Sequence, residues 1–349
     1  MWGNSLISVE RRRVQRTGSS SFIITLPKEW VDSVKLKSGD YVIVEKYGDK
    51  LVITPPRAEP LTLRAHITVY PGVDPQQVLR MLLAAYIAGY NLINVIFDKN
   101  IPNLAKFISE VKSIARAKLA GIEVVEESFN TVVFKVLIDI RELPLISAIR
   151  RLHLIVNNMM NDCLALLKNG DINYAHAIIQ RDDEADRFHH IIVRELSLAL
   201  LDVRSQHELG ITNIAEVLSY RIIARNLERI ADHIVNIAKR VLSAGGIRNY
   251  ELVYEFLERD EKLFNRAMEA LYYLSRRAAE DVISESRRIV QDVEDALQGK
   301  VMPSQIDVKE KVAITLILDG LKRVARYSNG IAEASLNIKA SKSNELDVK

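Results

Sequence analysis

Arg225-Asn226-Leu227-Glu228-Arg229-Ile230-Ala231-Asp232-His233-Ile234-Val235-Asn236-Ile237-Ala238 decides the character of the chain. Leu227, Ile230, Ala231, Ile234, Val235 and Ala238 recur at spacings of three and four with charge between them, the pattern of a helix that buries one face. The same pattern runs outward over residues 145–340. Eight of the nine prolines lie at or before Pro144, and only Pro303 lies after it. Proline removes a helix hydrogen bond and clashes with the preceding turn, so its scarcity here permits long helices. Turn signals at Asn169-Gly170-Asp171, His207 to Gly210, Gly245-Gly246, Gly299 and Pro303 divide the stretch into six expected helices: 145–168, 172–206, 211–244, 250–278, 280–300 and 305–340.

Upstream the periodicity changes. Leu61, Leu63, Ala65, Ile67 and Val69 alternate as one face of a strand. A helix from about Pro75 to Tyr90, a strand at 92–97, a helix from about Asn103 to Ala120 and strands at 122–126 and 131–139 follow. This β-α-β-α-β-β order predicts a small open sheet with helices on one face, and it carries no glycine-rich phosphate loop. Its expected roles are packing, dimerisation or binding of a small effector. Residues 1–57 hold short β-branched runs at 21–26 and 41–53, turns at Gly39-Asp40 and Gly48-Asp49, and a short helix opened by Pro27-Lys28-Glu29-Trp30. Pro55-Pro56 reads as a stiff linker. The expected architecture is therefore multidomain and mainly α: a β unit at 1–57, an α/β unit at 60–141, helices at 145–340 and a disordered tail at 341–349.

Composition narrows the function. Hydrophobic residues are 48% and charged residues 27%, as in ordinary soluble proteins. The net charge of +3 excludes a general polycation, so any nucleic-acid surface must be local. Residues 1–57 hold ten Lys/Arg against six Asp/Glu, with Arg11, Arg12, Arg13 and Arg16 clustered. That run reads either as a solvated basic face, in contact with a membrane surface or RNA, or as a DNA contact. Cys163 is the only cysteine, which excludes an internal disulfide and cysteine-based zinc sites. The stretch MWGNSLISVERRR has no apolar signal core, and Leu82 to Phe97 is too short and polar to span a bilayer. The expectation is a cytoplasmic protein without membrane insertion.

Two carboxylate pairs stand out. Asp182 and Asp186 share one helix face at i,i+4, as do Glu228 and Asp232. Asp182 and Asp232 are equidistant from residue 207, and so are Asp186 and Glu228. With the connecting loop at 207, an antiparallel hairpin brings all four to one height. They could join around a hard or borderline cation, with Asn236 as a further oxygen ligand. They could equally pair with Arg181, Arg187, Arg225 and Arg229 on a solvated face. Asp186-Arg187-Phe188-His189 is a D-x-x-H, but no other histidine follows an acid by three, so the matched motifs of a di-iron oxidase are missing. His189 and His190 are expected at the surface or as outer-shell partners. Nothing in the chain marks an enzyme.

Residues 225–238 and the Asp182–Asp186 run resemble the signature of the PhoU family of phosphate-uptake regulators, and the likeness extends over 145–340. The resemblance implies two stacked three-helix bundles. It also implies iron- or zinc-type metal clusters held by E/D-x-x-x-D motifs: Asp182, Asp186, Glu228 and Asp232, with Asn236 beside them. Its implied partners are the phosphate transporter and its sensor kinase. In the second repeat, Lys322 stands in the place of Glu228 and Arg326 in that of Asp232, with Gln291 near the Asp182 position. The second site is expected to be lost to ion pairs of Lys322 or Arg326 with Glu280, Asp281 or Glu285.

Arg16-Thr17-Gly18-Ser19-Ser20-Ser21-Phe22-Ile23-Ile24-Thr25-Leu26-Pro27-Lys28-Glu29-Trp30, followed by Leu36-Lys37-Ser38-Gly39-Asp40, resembles the AbrB/SpoVT/MazE swapped-hairpin family over roughly residues 9–56. That family implies a homodimer with a shared core, which suits a unit too small to be secure alone. It implies DNA contacts through Arg11, Arg12, Arg13, Arg16 and Lys28. Some members use the fold only to dimerise. The whole order resembles archaeal phosphate-uptake regulators that fuse the two domains. The reading is a DNA-binding transcriptional regulator of phosphate uptake with a metal-binding sensor domain. The rival is a signalling adaptor that links a phosphate transporter to its regulators without touching DNA.

Overall fold

The structure, a computed structural model, describes residues 9–47, 49–55, 62–139, 142–247 and 250–342. It forms two compact units, Met1–Leu61 and Thr62–Lys349. The expected linker residue Pro56 lies outside the described residues, as do residues 343–349 of the expected tail; Ser341 and Lys342 end the last helix instead.

In the first unit, β1 (Gln15–Thr17) and β2 (Ser21–Ile23) form an antiparallel hairpin. Gly18 makes the turn at φ 63°, a left-handed conformation that costs glycine little. Pro27 precedes α1 (Lys28–Ser33), and β3 (Ile43–Tyr47) pairs with β4 (Lys50–Thr54). The strands pair only in twos. No described residue of this unit is buried, and Phe22, Ile43, Val44 and Leu51 are exposed.

The second unit opens with the expected βαβαββ order: β5 (Arg64–Val69), α2 (Pro75–Ile87), β6 (Leu92–Phe97), α3 (Leu104–Lys118), β7 (Ile122–Ser128) and β8 (Thr131–Val136). Asp74 starts α2 through a reciprocal cap. Its carboxylate accepts from the Gln77 backbone N–H at 2.8 Å, and Gln77 Oε1 accepts from the Asp74 N–H at 2.8 Å. The sheet order is β5-β6-β8-β7, with β5 parallel to β6 and the other pairs antiparallel. Alternation puts Ile93, Val95 and Phe97 of β6 and Val132, Phe134 and Val136 of β8 on one face, where they form a core with Leu82, Tyr86 and Val111.

The helices are α4 (Leu145–Asn169), α5 (Ile172–Leu201), α6 (Val203–Glu208), α7 (Glu216–Ala244), α8 (Glu251–Tyr273), α9 (Arg276–Ala296) and α10 (Val308–Lys342). Gly170, at φ 69°, ends α4, and Asp171 caps α5 by accepting from Asn173 N–H at 2.9 Å. Three expected boundaries move. The helix expected from 211 begins at Glu216. The helix expected over 172–206 breaks at Asp202, which is extended and caps α6 with its side chain. The split expected near 279 falls at Leu274, left-handed at φ 46°, and Ser275 caps α9. Leu297–Val301 adds a π-helical turn around Gly299.

Helices α4, α5 and α7 make one three-helix bundle, and α8, α9 and α10 a second. Helix α10 packs along α7 and joins them into a continuous core that includes Leu152, Met159, Ile223, Leu227, Phe264 and Leu321. The α/β part keeps its own core yet docks on α5. Arg194 Nη1 donates to Tyr86 O at 2.6 Å and Tyr90 O at 2.8 Å, satisfying carbonyls at the C-terminal end of α2.

Candidate functional site

The acidic seam lies where α5 packs on α7. Apolar residues one position away hold three of the four acids half-buried: Ala185 beside Asp186, Leu227 beside Glu228 and Ala231 beside Asp232 are all in the core. The seam's electrostatics record the meeting of the four acids. Burial first, then Asp232 across the seam, raises Asp182 above the usual carboxylate range. Burial, Asp182 and Asp232 push Asp186 up to about 6, against the pull of Lys118. Glu228 rises to about 6 through burial, Asp232 and, from the facing helix, Asp186, with Arg225 and Arg229 opposing.

Acids of α5 and α7 thus influence one another across the seam, and the arginine pairing is present with them. Arg225 Nη1 donates to Glu228 Oε1 at 3.0 Å, and Arg229 Nη1 to Asp232 Oδ2 at 3.4 Å. Arg181 turns away to Asp162, and Arg187 donates to Ala117 O at 3.0 Å. No group of three or more His, Cys, Asp or Glu side chains stands close enough to hold a metal ion among the described residues. Asn236 is exposed and lines a cavity between α7 and α10. The donor chemistry still suits a hard cation. The seam offers carboxylate oxygens, and Glu228 Oε2 is buried without a hydrogen bond.

Lys118, at the C-terminal end of α3, reaches this seam from the α/β part and forms an ion pair with Asp183. It acts on both Asp182 and Asp186. His189, expected at the surface, is buried, with Nε2 3.3 Å from Arg221 Nη1; burial and the neighbouring His190 push it down to about 3. An uncharged, buried imidazole packs where the exposed reading put a polar ring.

Two groups escaped sequence reasoning. Glu195 is buried with neither oxygen hydrogen-bonded, and burial drives it up to about 9. Asp260 is fully buried in the same condition and is raised well above its ordinary value, with Arg259 opposing. The sequence did carry a signal for each. Glu195 follows the run Ile191-Ile192-Val193, and Asp260 sits on the stripe of Val253, Phe256, Leu257, Leu263 and Phe264.

In the second bundle, Lys322 does form ion pairs, but with Glu294 at 3.4 Å and Asp319 at 3.5 Å. The partners expected for it are taken by other cations: Glu285 by Arg259 at 3.0 Å, Asp281 by Arg266 at 3.0 Å and Glu280 by Arg276 at 4.0 Å. Those arginines lie on α8 and α9, nearer than α10 allows.

In the N-terminal unit, Arg11, Arg12, Arg13, Arg16 and Lys28 are all exposed. Arg12 pairs with Glu10, and Arg16 Nη2 donates to Ser19 O at 2.5 Å across the first hairpin turn. An apolar cleft of about 370 Å³ lies among Leu26, Trp30, Leu51 and Ile53.

Two three-helix bundles with an acidic seam, carried on a chain whose strand-hairpin unit has no buried residue among those described, define a mainly helical multidomain protein. Comparison with known proteins gives a likeness for each of two segments. The PhoU domain matches residues 149–241, and the family described as "Antidote-toxin recognition MazE, bacterial antitoxin" matches residues 15–61. The "Phosphate-specific transport system accessory protein PhoU homolog" of Clostridium acetobutylicum is 21% identical over 217 residues, which span 60% of this chain and 96% of that protein. The crystal structure of PhoU from Pseudomonas aeruginosa superposes with a TM-score of 0.50 at 20% identity, covering 56% of this chain and 95% of that one, a likeness of fold. The chain thus carries a PhoU-domain match in its helices and a MazE-type match at its N-terminal end. No helix among the described residues is long and apolar enough to cross a membrane.

Proposed function

We propose that the protein is a cytoplasmic, dimeric, DNA-binding regulator of phosphate uptake whose helical domain senses a metal ion at the α5–α7 seam. The observation that carries the DNA reading is the N-terminal unit itself. It holds five exposed cations, Arg11, Arg12, Arg13, Arg16 and Lys28, on a hairpin scaffold with no buried residue among those described. A scaffold without an interior needs a second surface over Phe22, Ile43 and Leu51, and a second copy supplies one. Pairing doubles the basic surface, and guanidinium groups there contact phosphate oxygens or guanine edges.

The metal reading rests on the carboxylates of the two helices and on Glu228 Oε2, which is buried without a hydrogen bond and has only Arg229 Nε at 3.9 Å for counter-charge. Asp182, Asp186, Glu228 and Asp232 would hold an iron- or zinc-type ion, which would replace the arginines as counter-charge. Such an ion supplies fixed positive charge that ties α5 to α7. Asn236 remains a further oxygen donor only if its side chain turns from the α7–α10 cavity. Partners in phosphate transport follow from the name of the Clostridium relative, a transport-system accessory protein.

A second reading has its own support. The matched N-terminal family is named for toxin recognition by an antitoxin, a protein–protein role. On that reading the unit only dimerises an adaptor that docks on transporter components. A gel shift on the protein's own upstream region separates the two. The expected result is a salt-sensitive complex that disappears when Arg11, Arg12, Arg13 and Arg16 become alanine while circular dichroism is unchanged. No complex with the wild-type protein at low salt leaves the adaptor.

A further inference from the structure

Helices α7 and α10 occupy equivalent places in their bundles. When Leu321 is matched to Leu227, Gly320 stands where Asn226 does and Gly330 where Asn236 does. The two ends of the α7–α10 contact have opposite fillings. At one end a Cβ on Gly330 would lie 2.5 Å from Asn226 Nδ2, so the Asn226 side chain already fills that space. At the other end a Cβ on Gly320 would find only Ile237 at 3.7 Å and His233 Nδ1 at 3.9 Å. A cavity of about 220 Å³ stays open there, lined by His233, Asn236, Arg240, Asp319, Gly320 and Arg323.

The lining is rich in donors with nothing to donate to. Among the described residues the Arg240 guanidinium and the Asn236 amide have no hydrogen-bond or ion-pair partner. Arg323 uses its Nε on Asp319 at 3.3 Å, which leaves its terminal nitrogens. Asp319 is the one carboxylate. Partial burial pushes it up, but Arg323 and Lys322 hold it below the usual carboxylate range, so it stays ionised and accepts hydrogen bonds.

We propose that this cavity binds a small oxyanion that keeps a proton of its own at neutral pH, of the class of hydrogen phosphate. The two guanidinium groups and the amide donate to the anion's bare oxygens through charge-assisted hydrogen bonds. Asp319 accepts from the anion's own hydroxyl. A fully deprotonated tetrahedral anion such as sulfate sets an oxygen lone pair against the Asp319 carboxylate. A site built to receive a hydroxyl proton rejects the analogue that lacks it. The volume also decides the ligand's size, because sites for drug-sized molecules run to roughly 300–1,000 Å³.

Isothermal titration calorimetry on the full chain tests this, at neutral pH with chelator present, using inorganic phosphate, sulfate and glycerol 3-phosphate. Saturable binding of phosphate to one site per chain is expected, with sulfate weaker by about tenfold or more. Arg240→Gln should weaken phosphate by about tenfold. Asp319→Asn should narrow the gap between phosphate and sulfate. Gly320→Val fills the cavity while keeping both arginines and should abolish binding; melting curves verify that each variant is folded. Tighter binding of glycerol 3-phosphate than of inorganic phosphate overturns the proposal, because a phosphomonoester at neutral pH is mostly the dianion and brings no phosphoryl hydroxyl to Asp319. Replacing Arg11, Arg12, Arg13 and Arg16 together should leave phosphate binding intact. No saturable heat with phosphate, equal binding of sulfate, or unchanged binding in Arg240→Gln overturns the proposal. Neither DNA nor metal enters the measurement, so its failure and the failure of the regulatory reading are separate results.

Discussion

The two three-helix bundles share a fold and part company at their seams. In the first, Glu228 and Asp232 face Asp182 and Asp186, and repulsion together with burial lifts Asp186 and Glu228 to about 6. In the second, Lys322 occupies the place of Glu228, is largely buried and bridges Glu294 and Asp319. The first seam lacks an internal cation at its centre; the second has one built in. The PhoU-domain match over 149–241 covers only the first. One bundle can thus keep the fold with its seam closed by lysine, while the other keeps an acidic seam whose cations, Arg225, Arg229 and Lys118, reach it from the rim.

The sharpest way to break this contrast is to exchange the seams. Glu228→Lys with Asp232→Arg should reduce bound metal, measured by plasma mass spectrometry of the purified protein, to background. The melting temperature should change little, because lysine already serves the second bundle. Retained metal in that variant would show that the ion lies elsewhere.

A smaller effect concerns the buried acids, one in each bundle: Glu195 on α5 and Asp260 on α8. Burial favours the neutral form of Glu195, up to about 9 from an ordinary 4.5. Between those values the folded chain holds a proton that the unfolded chain has released. Its contribution to stability is whole below about 4.5 and is lost as the pH rises towards about 9. Denaturant melts from pH 5 to 9 should therefore show falling stability, and Glu195→Gln should flatten the slope. An unchanged slope would show Glu195 to be ionised in the fold. Asp260→Asn should act in the same direction, since Asp260 is also raised by burial.

The smallest change is expected at Lys118, whose pair with Asp183 is partly exposed. Lys118→Ala should cost about 1 kcal/mol or less in stability. It should nonetheless tighten metal binding in a competition titration, because it removes a cation that acts on Asp182 and Asp186. Weaker metal binding in this variant would separate the α/β part from the seam's chemistry.

Much of this was legible in residue order because the informative distances are short. Spacing of three and four placed the long helices, and Gly170 with Asp171 marked a stop and a start by local backbone chemistry. Equal distance of the acid pairs from residue 207 pointed to the α5–α7 contact, which forms even though Asp202 breaks the helix before the turn. What escaped depends on contacts distant in sequence. Lys118 meets Asp183 only once the α/β part docks on α5. Arg194 looks like a surface charge until its carbonyl partners, Tyr86 and Tyr90, are known. The partners of Lys322 were misjudged because Arg259 and Arg266 on α8 had already claimed Glu285 and Asp281.

The N-terminal hairpins carry Phe22, Ile43, Val44 and Leu51 in the open. On the proposed dimer, order in such a segment is collective: it scales with how much covering surface the solution offers, and so with the abundance of the chain itself. Dilution alone would then loosen this end while leaving the helices, whose interior is complete within one chain, as firm as before.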